Sequence, residues 1–155
     1  MMLAPAPSVL ALARALLPVR EAGQNRGRFV EAIIRFAGGE PGEPWCASFV
    51  YYCGRKMLGE GWRLPKTRSC DVLLNACKGL GMLSTAPQSG GLFFVMRTPA
   101  DATHVGFVDQ VLPDGRFTTV EGNSNDKGHR DGDGVVANVR GTTGTTVYQF
   151  TAPVA

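Results

Sequence analysis

The chain has 155 residues, of which 44% are hydrophobic and 19% are charged, and its formal net charge is +3. This length fits one domain with a single core, and no stretch approaches the roughly 20 apolar residues that a membrane span requires. We therefore expect no membrane span. The 16 basic residues are scattered rather than gathered on one helix, so we also expect no nucleic-acid-binding surface.

The first twenty residues suggest either a leader or a helix. Residues 9–13 are similar to the apolar part of a secretory signal, but no basic segment precedes them and Arg14 interrupts the run. A helix from Ser8 to Leu17, capped by Ser8 and ended by Pro18, is the favoured interpretation. We therefore expect synthesis in the cytoplasm without a clear signal peptide.

Apolar spacing and glycine stops predict further helices over 28–36, about 44–58 and 70–78. Ser69 is suited to cap the last of them. Pro44 is suited to the first turn of the helix that contains Cys46, because the N–H it lacks would be unsatisfied there. The first half of the chain is thus predicted to be helical.

After the Ser-, Pro- and Gly-rich residues 84–91, the pattern changes to short runs of branched and aromatic residues. These runs predict strands at 92–96, 104–112, 116–121, 135–140 and 146–151. Pro113-Asp114-Gly115 predicts a hairpin between the second and third strands. Helices followed by an antiparallel sheet indicate an α+β fold, in one domain over 1–155 with its core at about 20–151.

Four cysteines occur in the chain, without the CxxC pairs of a zinc site or the density of a disulfide scaffold. Cys53, Cys70 and Cys77 are interpreted as small core residues. Cys46 differs because it falls in the first turn of a helix, where unpaired N–H groups and the helix dipole favour an anion. Its thiol is therefore predicted to ionise readily and to act as a nucleophile.

A thiolate nucleophile needs a base, and the chain has two histidines. His104 opens a strand that could fix its ring, whereas His129 lies in a polar loop, so His104 is favoured. Glu121 and Asn123 on the next strand are candidate acceptors for the imidazole. In a protein without catalysis, the three would be an edge-strand histidine, an exposed carboxylate and a turn former.

The hairpin constrains whether these side chains meet. If Leu112 lies opposite Arg116, a regular ladder places His104 opposite Ser124 and turns Glu121 to the other face of the sheet. A β-bulge in one strand, or a different loop register, is required to bring His104 and Glu121 together.

Together these motifs carry a family resemblance. Cys46 in Pro-Trp-Cys-Ala-Ser-Phe-Val, then His104-Val105-Gly106, then Glu121-Gly122-Asn123 resemble the CHAP family of cysteine, histidine-dependent amidohydrolases and peptidases, over about 25–140. The resemblance implies a papain-like α+β fold, with N-terminal helices packed on a C-terminal antiparallel sheet or half-barrel. It also implies hydrolysis of peptidoglycan, either between muramic acid and L-alanine or within the peptide stem and cross-bridge.

The resemblance further implies a role for each site residue. Cys46 would be the nucleophile, His104 the general base and acid, Glu121 the orienting acceptor and Asn123 a supporting polar group. The Cys46 backbone N–H would be one oxyanion donor.

Some family members bind calcium near the nucleophile, but the region before Cys46 offers only Glu40 and Glu43. Turn formation explains the later aspartates, which are Asp126, Asp131 and Asp133. We expect no metal and no cofactor.

The expected partner is peptidoglycan, whose polyanionic surface suits the mild positive charge, and the expected state is a monomer. The enzyme would act at the bacterial cell wall or periplasm after delivery or lysis, as a bacteriophage endolysin or a secreted effector. No immunity or delivery partner is identified. Two alternatives stay open, namely a weak or inactive module that binds wall fragments and an amidase of a small peptide conjugate.

Overall fold

The computed structural model describes residues 8–124 and 133–154. Within these ranges the helices come first, and they are α1 (Val9–Ala15), α2 (Arg28–Phe36), α3 (Cys46–Leu58) and α4 (Cys70–Gly79). A short 3-10 turn at Gly59–Gly61 follows α3. The strands follow as β1 (Leu83–Ser84), β2 (Leu92–Thr98), β3 (Asp101–Val111), β4 (Phe117–Ser124), β5 (Gly134–Arg140) and β6 (Val147–Thr151). No helix in the described ranges is both long and apolar enough to cross a membrane.

The strands form one sheet in the order β1-β6-β2-β3-β4-β5 among the described residues, and every neighbouring pair is antiparallel. Helices that precede an antiparallel sheet confirm the predicted α+β class, in the arrangement expected of a papain-like fold. The two-residue strand β1 was not predicted, because so short a segment carries no period.

Helix α3 packs against the centre of the sheet and contacts both β3 and β4. Phe49 is fully buried and meets Phe107 edge to face, with ring centroids 6.0 Å apart. The approach is closest at Gly122 of β4, where a Cβ atom would lie 2.6 Å from the side chain of Phe49. Only glycine at this position lets the start of α3 lie directly on the strand that carries Glu121.

A smaller cluster, formed by Phe93, Phe117, Tyr148 and Phe150, packs separately from the main core. Phe117 meets both Tyr148 and Phe150 edge to face, with ring centroids 5.4 Å apart in each pair. Phe93 extends this cluster toward His104, with ring centroids 6.0 Å apart. The catalytic candidates on the sheet therefore rest against a rigid aromatic support.

Helix ends are set by local chemistry, as the sequence predicted. The Ser8 hydroxyl accepts a hydrogen bond from the Ala11 N–H at 3.0 Å, and the Ser69 hydroxyl accepts one from the Val72 N–H at 3.2 Å. The placement of Pro44 was wrong, because Trp45 occupies the cap position and Cys46 is the first helical residue. Cys46 nonetheless lies in the first turn, as predicted.

The hairpin contains the bulge that the sequence argument required. Leu112 donates to the Arg116 carbonyl at 2.7 Å, so the predicted turn register is correct. The pairing then shifts between Gln110↔Thr118 and Val108↔Thr119, which leaves Asp109 as an extra residue in β3. From the next pair, Phe107↔Val120, the ladder between β3 and β4 continues in a register that puts the side chains of His104 and Glu121 on the same face of the sheet.

Candidate active site

The loop before α3 is tied down by Glu21. Its Oε1 accepts a hydrogen bond from Trp45 Nε1 at 2.8 Å, and its Oε2 accepts one from the Asn25 N–H at 3.0 Å. Asn25 adopts a left-handed conformation, with φ of 54°, and donates from its side chain to the Gly42 carbonyl at 3.1 Å. These contacts fix the entry to α3, and with it the position of Cys46.

His104 and Glu121 meet inside the protein. Nε2 of His104 lies 2.7 Å from Oε1 of Glu121, and the two side chains are 3% and 0% exposed. A carboxylate at Nε2 fixes the orientation of the ring and leaves Nδ1 to face another group. The structure therefore brings together the two sheet residues that the sequence paired.

Glu121 is held from its other side by residues of β4 and β5. Arg140 grips both carboxylate oxygens, with Nε to Oε2 at 2.8 Å and Nη2 to Oε1 at 2.6 Å. The Thr119 hydroxyl and the Asn138 side-chain amide also donate to Oε2. Because the Arg140 guanidinium lies 4.9 Å from the Phe93 ring, the whole network is packed on the aromatic cluster.

These contacts determine the charge of Glu121. Burial alone would raise the pKa of its carboxyl, but hydrogen bonds from Arg140 and His104, together with their positive charges, hold that pKa far below its usual range. Glu121 is therefore an anion at every pH at which the protein is expected to work.

The pKa of His104 is shifted in the opposite direction. Burial, the largest effect, lowers it, but hydrogen bonding to Cys46 and Glu121 and the charges of both outweigh burial and raise the pKa to about 9. Nδ1 has no closely aligned hydrogen-bond partner among the described residues, and catalytic hydrogen bonds often become well aligned only when substrate binds. With Nε2 bound to Glu121, Nδ1 is the nitrogen left for the Cys46 sulfur.

Asn123 is buried at the end of the same strand. It is 0% exposed and adopts a left-handed conformation, with φ of 55°. Neither its Oδ1 nor its Nδ2 has a hydrogen-bond partner within the described ranges. A buried amide with both atoms unsatisfied is costly, and such groups are found where a ligand or water completes the site.

The other cysteines differ from Cys46 in their surroundings. Burial raises the pKa of the Cys53 thiol well above its ordinary value and that of Cys77 to about 11, as expected for core residues. Cys70 is also buried, but its Sγ lies 3.5 Å from Sγ of Cys46. The sequence interpretation of Cys70 as a core residue missed this contact.

A cleft of about 660 Å³ lies beside the segments that lead into α3 and α4. Glu43, Lys66 and Arg68 contribute charged groups to its lining. Arg68 Nη1 lies 2.9 Å from both carboxylate oxygens of Glu43, which links the two segments. The cleft therefore adjoins the helix starts that carry Cys46 and Cys70.

Several candidates from the sequence fall elsewhere. His129, Asp126 and Asp131 lie outside the described residues. Within residues 8–124 and 133–154, no group of three or more His, Cys, Asp or Glu side chains could hold a metal ion. That no metal is required stays a prediction.

Thr119, Asn138 and Arg140 were not identified from the sequence. The sequence did contain a signal for them. Thr119 and Glu121 are two residues apart on one strand and so share a face, and Asn138 and Arg140 are two residues apart on the next. Using it requires the pairing Thr119↔Asn138, which the sequence alone does not provide.

Comparison with known families gives one match. A family model described as CHAP domain matches residues 38–123, more than half of the 155-residue chain. The matched segment includes Cys46, His104, Glu121 and Asn123. No curated protein and no solved structure matches significantly.

Proposed function

The chain belongs to the CHAP domain family, and from this membership we propose that it hydrolyses an amide bond of peptidoglycan with Cys46 as nucleophile. The family in general comprises cysteine- and histidine-dependent peptidoglycan amidohydrolases and peptidases. The bond is either the one between muramic acid and L-alanine or one within the peptide stem or cross-bridge. Glu121 orients His104, and Asn123 supports the site.

One observation carries this proposal. His104 is bound to Glu121 at 2.7 Å through Nε2, while interaction with Cys46 raises the pKa of the same ring. A thiol that interacts with an imidazole, which is in turn bound to a buried carboxylate, is the set of groups used in nucleophilic acyl transfer.

In the first half of the reaction, the Cys46 thiolate attacks the carbonyl carbon of the scissile amide. The negative charge that develops on the carbonyl oxygen is stabilised by the Cys46 backbone N–H at the start of α3. The His104 imidazolium then donates its Nδ1 proton to the leaving nitrogen. The C–N bond breaks, which leaves a thioester on Cys46 and a free amine.

In the second half, neutral His104 accepts a proton from water at Nδ1, and the resulting hydroxide attacks the thioester. The C–S bond breaks, a carboxylic acid leaves, and the thiolate and imidazolium are restored. Glu121 keeps its negative charge throughout and stabilises the imidazolium in each resting state. Lys66 in the neighbouring cleft suits a free carboxylate of a peptide stem.

Purified peptidoglycan provides the test. Sacculi with direct cross-links and sacculi with peptide bridges would be incubated with the protein, and the soluble products identified by mass spectrometry. The expected result is release of fragments with one new amine and one new carboxyl group, whose masses identify the bond. Release of no fragment from either wall type would overturn the proposal.

The site of action is part of the same proposal. A wall hydrolase acts outside the cytoplasm or after lysis, so we propose that the protein reaches the wall by delivery or by release from a lysing cell. A turbidity assay on intact cells, with the protein added from outside, tests whether it reaches its substrate unaided.

The thiolate and imidazolium predict an unusual pH dependence of alkylation. Because the pKa of His104 is raised to about 9, its ring stays positive through neutral pH and pairs with the Cys46 thiolate. Cys46 is therefore expected to react with iodoacetamide below pH 7, where an ordinary thiol with a pKa of about 8.5 is mostly protonated. Peptide mapping of the alkylated site at each pH gives the profile.

A His104→Ala variant is the matched comparison for alkylation. Without the imidazolium, the reaction of Cys46 should move to higher pH by at least one unit, whereas Cys53 should stay unreactive in both proteins because burial raises the pKa of its thiol well above the ordinary value. Equal profiles in the native chain and the variant would show that His104 does not activate Cys46.

A further inference from the structure

The contact between Cys46 and Cys70 is not used by the mechanism proposed above. The two sulfur atoms are 3.5 Å apart, and the residues are 2% and 7% exposed. Each cysteine is the first residue of its helix, α3 or α4, so two helix starts converge at one point. Both are thiols in this structure.

The surrounding contacts hold the two sulfurs in place. Arg68, two residues before Cys70, is bound to Glu43, three residues before Cys46. On the other side of Cys70, the Asp71 carboxylate accepts a hydrogen bond from the Ala102 N–H of β3 at 2.7 Å. Because both helix starts are anchored by neighbours in sequence, the sulfur contact is a property of the fold rather than of two mobile side chains.

We propose that Cys46 and Cys70 form a reversible disulfide that closes the active site under oxidising conditions and protects the nucleophile from permanent damage. A disulfide has an S–S length of about 2.05 Å, so the two sulfurs must approach by about 1.5 Å to form the bond. The bond removes the nucleophile, and reduction restores it. For its effect on activity, but not for the bond itself, this inference rests on the proposed function.

The oxidant is a peroxide. The Cys46 thiolate attacks one oxygen of hydrogen peroxide, which breaks the O–O bond and gives a sulfenic acid on Cys46 and hydroxide. The Cys70 sulfur then attacks the Cys46 sulfur, the S–O bond breaks, and hydroxide leaves, taking up the proton of the Cys70 thiol to form water. The hydroxide released in the first step takes up the proton of the His104 imidazolium that was paired with the Cys46 thiolate. In total, the two cysteine sulfurs lose two electrons, and one peroxide is reduced to two waters.

The reaction of Cys70 with the sulfenic acid on Cys46 competes with further oxidation of that sulfenic acid by peroxide. In excess peroxide a sulfenic acid is oxidised further to a sulfinic acid, which thiol reductants do not reverse. A thiol already 3.5 Å from Cys46 captures the sulfenic acid first. Cys53 and Cys77 provide an internal comparison, because burial keeps both protonated and neither is predicted to be oxidised.

The experiment treats the full chain with excess hydrogen peroxide and then with dithiothreitol. Non-reducing digestion and mass spectrometry should find a Cys46–Cys70 cross-linked peptide in the native chain. Wall hydrolysis should fall at least tenfold after peroxide and return to most of its starting value after dithiothreitol. A Cys70→Ser variant should keep its activity before oxidation but recover less than a fifth of it afterwards, with Cys46 found as sulfinic acid.

Failure of this inference can be told apart from failure of the proposed function. The cross-link is detected without substrate, so a protein that forms it but never releases wall fragments contradicts the hydrolase alone. Absence of the cross-link in oxidised native chain, or equal recovery of the native chain and the variant, overturns the switch. If Cys70→Ser does not fold, the peptide map of the native chain still decides whether the bond forms.

Discussion

A Cys46→Ala variant is expected to release peptidoglycan fragments at least ~10³-fold more slowly than the native chain. The reason is that the mechanism forms a covalent bond to this sulfur, and alanine offers no atom to replace it. The measurement is the initial rate of fragment release, followed by chromatography of the soluble products. The fold should be retained, because removal of one sulfur at a helix start leaves the hydrogen bond from Trp45 Nε1 to Glu21 in place.

Two comparison variants sharpen this result. Cys53→Ala removes a buried thiol seven positions further along the same helix and should keep near-native activity, apart from a loss of stability. Cys46→Ala combined with Cys70→Ser tests whether the neighbouring sulfur can attack in place of Cys46. Residual activity above a tenth of the native rate in the single variant, lost in the double variant, would assign the nucleophile to Cys70.

Binding separates the enzyme from the alternative of a wall-binding module. Cys46→Ala should still sediment with insoluble sacculi, because the cleft that Lys66 lines is unchanged. If the native chain and the variant both bind sacculi and neither releases fragments, the protein is a binding module and the hydrolase is ruled out.

The helix ends show what the sequence could predict. Ser8 and Ser69 act through hydrogen bonds within three residues, so their effect is visible in the sequence itself. The position of Cys46 in the first turn of α3 was also predicted from local sequence, although the helix begins at Cys46 and the predicted place of Pro44 in that turn was wrong. Contacts this short in sequence depend little on the rest of the fold.

The hairpin shows where sequence reasoning needed the structure. The turn at residues 113–115 predicted one register, and the pairing of His104 with Glu121 required another. Both are correct, because Asp109 is bulged out of the ladder between them. A β-bulge depends on strand pairing and packing, and no residue near Asp109 marks it in the sequence.

Arg140 and Cys70 are a different kind of omission. Each contacts a site residue 19 or 24 positions away in the chain, Arg140 with Glu121 and Cys70 with Cys46. Such contacts follow from the strand pairing of β4 with β5 and from the packing of α3 beside α4. They become predictable only after the topology is known, which is why the sequence could single out Cys46 as a candidate nucleophile but could not identify its surroundings.

Glu121→Gln is expected to lower activity by about 10²–10⁴-fold and to reduce the free energy of unfolding by about 3–5 kcal/mol. Glutamine keeps the shape of the side chain but removes the negative charge that balances Arg140, which is only 11% exposed. The charge on Arg140 is then buried without compensation, and His104 loses the anion that stabilises its imidazolium. Urea unfolding and wall hydrolysis, measured on the same preparation, give the two effects.

A double variant separates the structural part of this loss from the catalytic part. Glu121→Leu with Arg140→Met replaces the buried ion pair by apolar side chains of similar size, which is often neutral or stabilising when both charges are removed. Most of the lost stability should return, whereas activity should stay at least tenfold below native because His104 still lacks its acceptor. Native activity in the stable double variant would show that Glu121 serves folding alone.

The pH dependence of stability tests the negative charge of Glu121 without a substrate. The pKa of Glu121 is lowered in the folded protein from an ordinary value of 4.5, so the stability that its ionised form contributes is present above pH 4.5 and is lost as the pH falls below it. The native chain should therefore lose free energy of unfolding between pH 5 and 3 more steeply than the double variant, which has no carboxyl at this position. Parallel curves would contradict an ionised, buried Glu121, and with it the anion on which the charge of His104 depends.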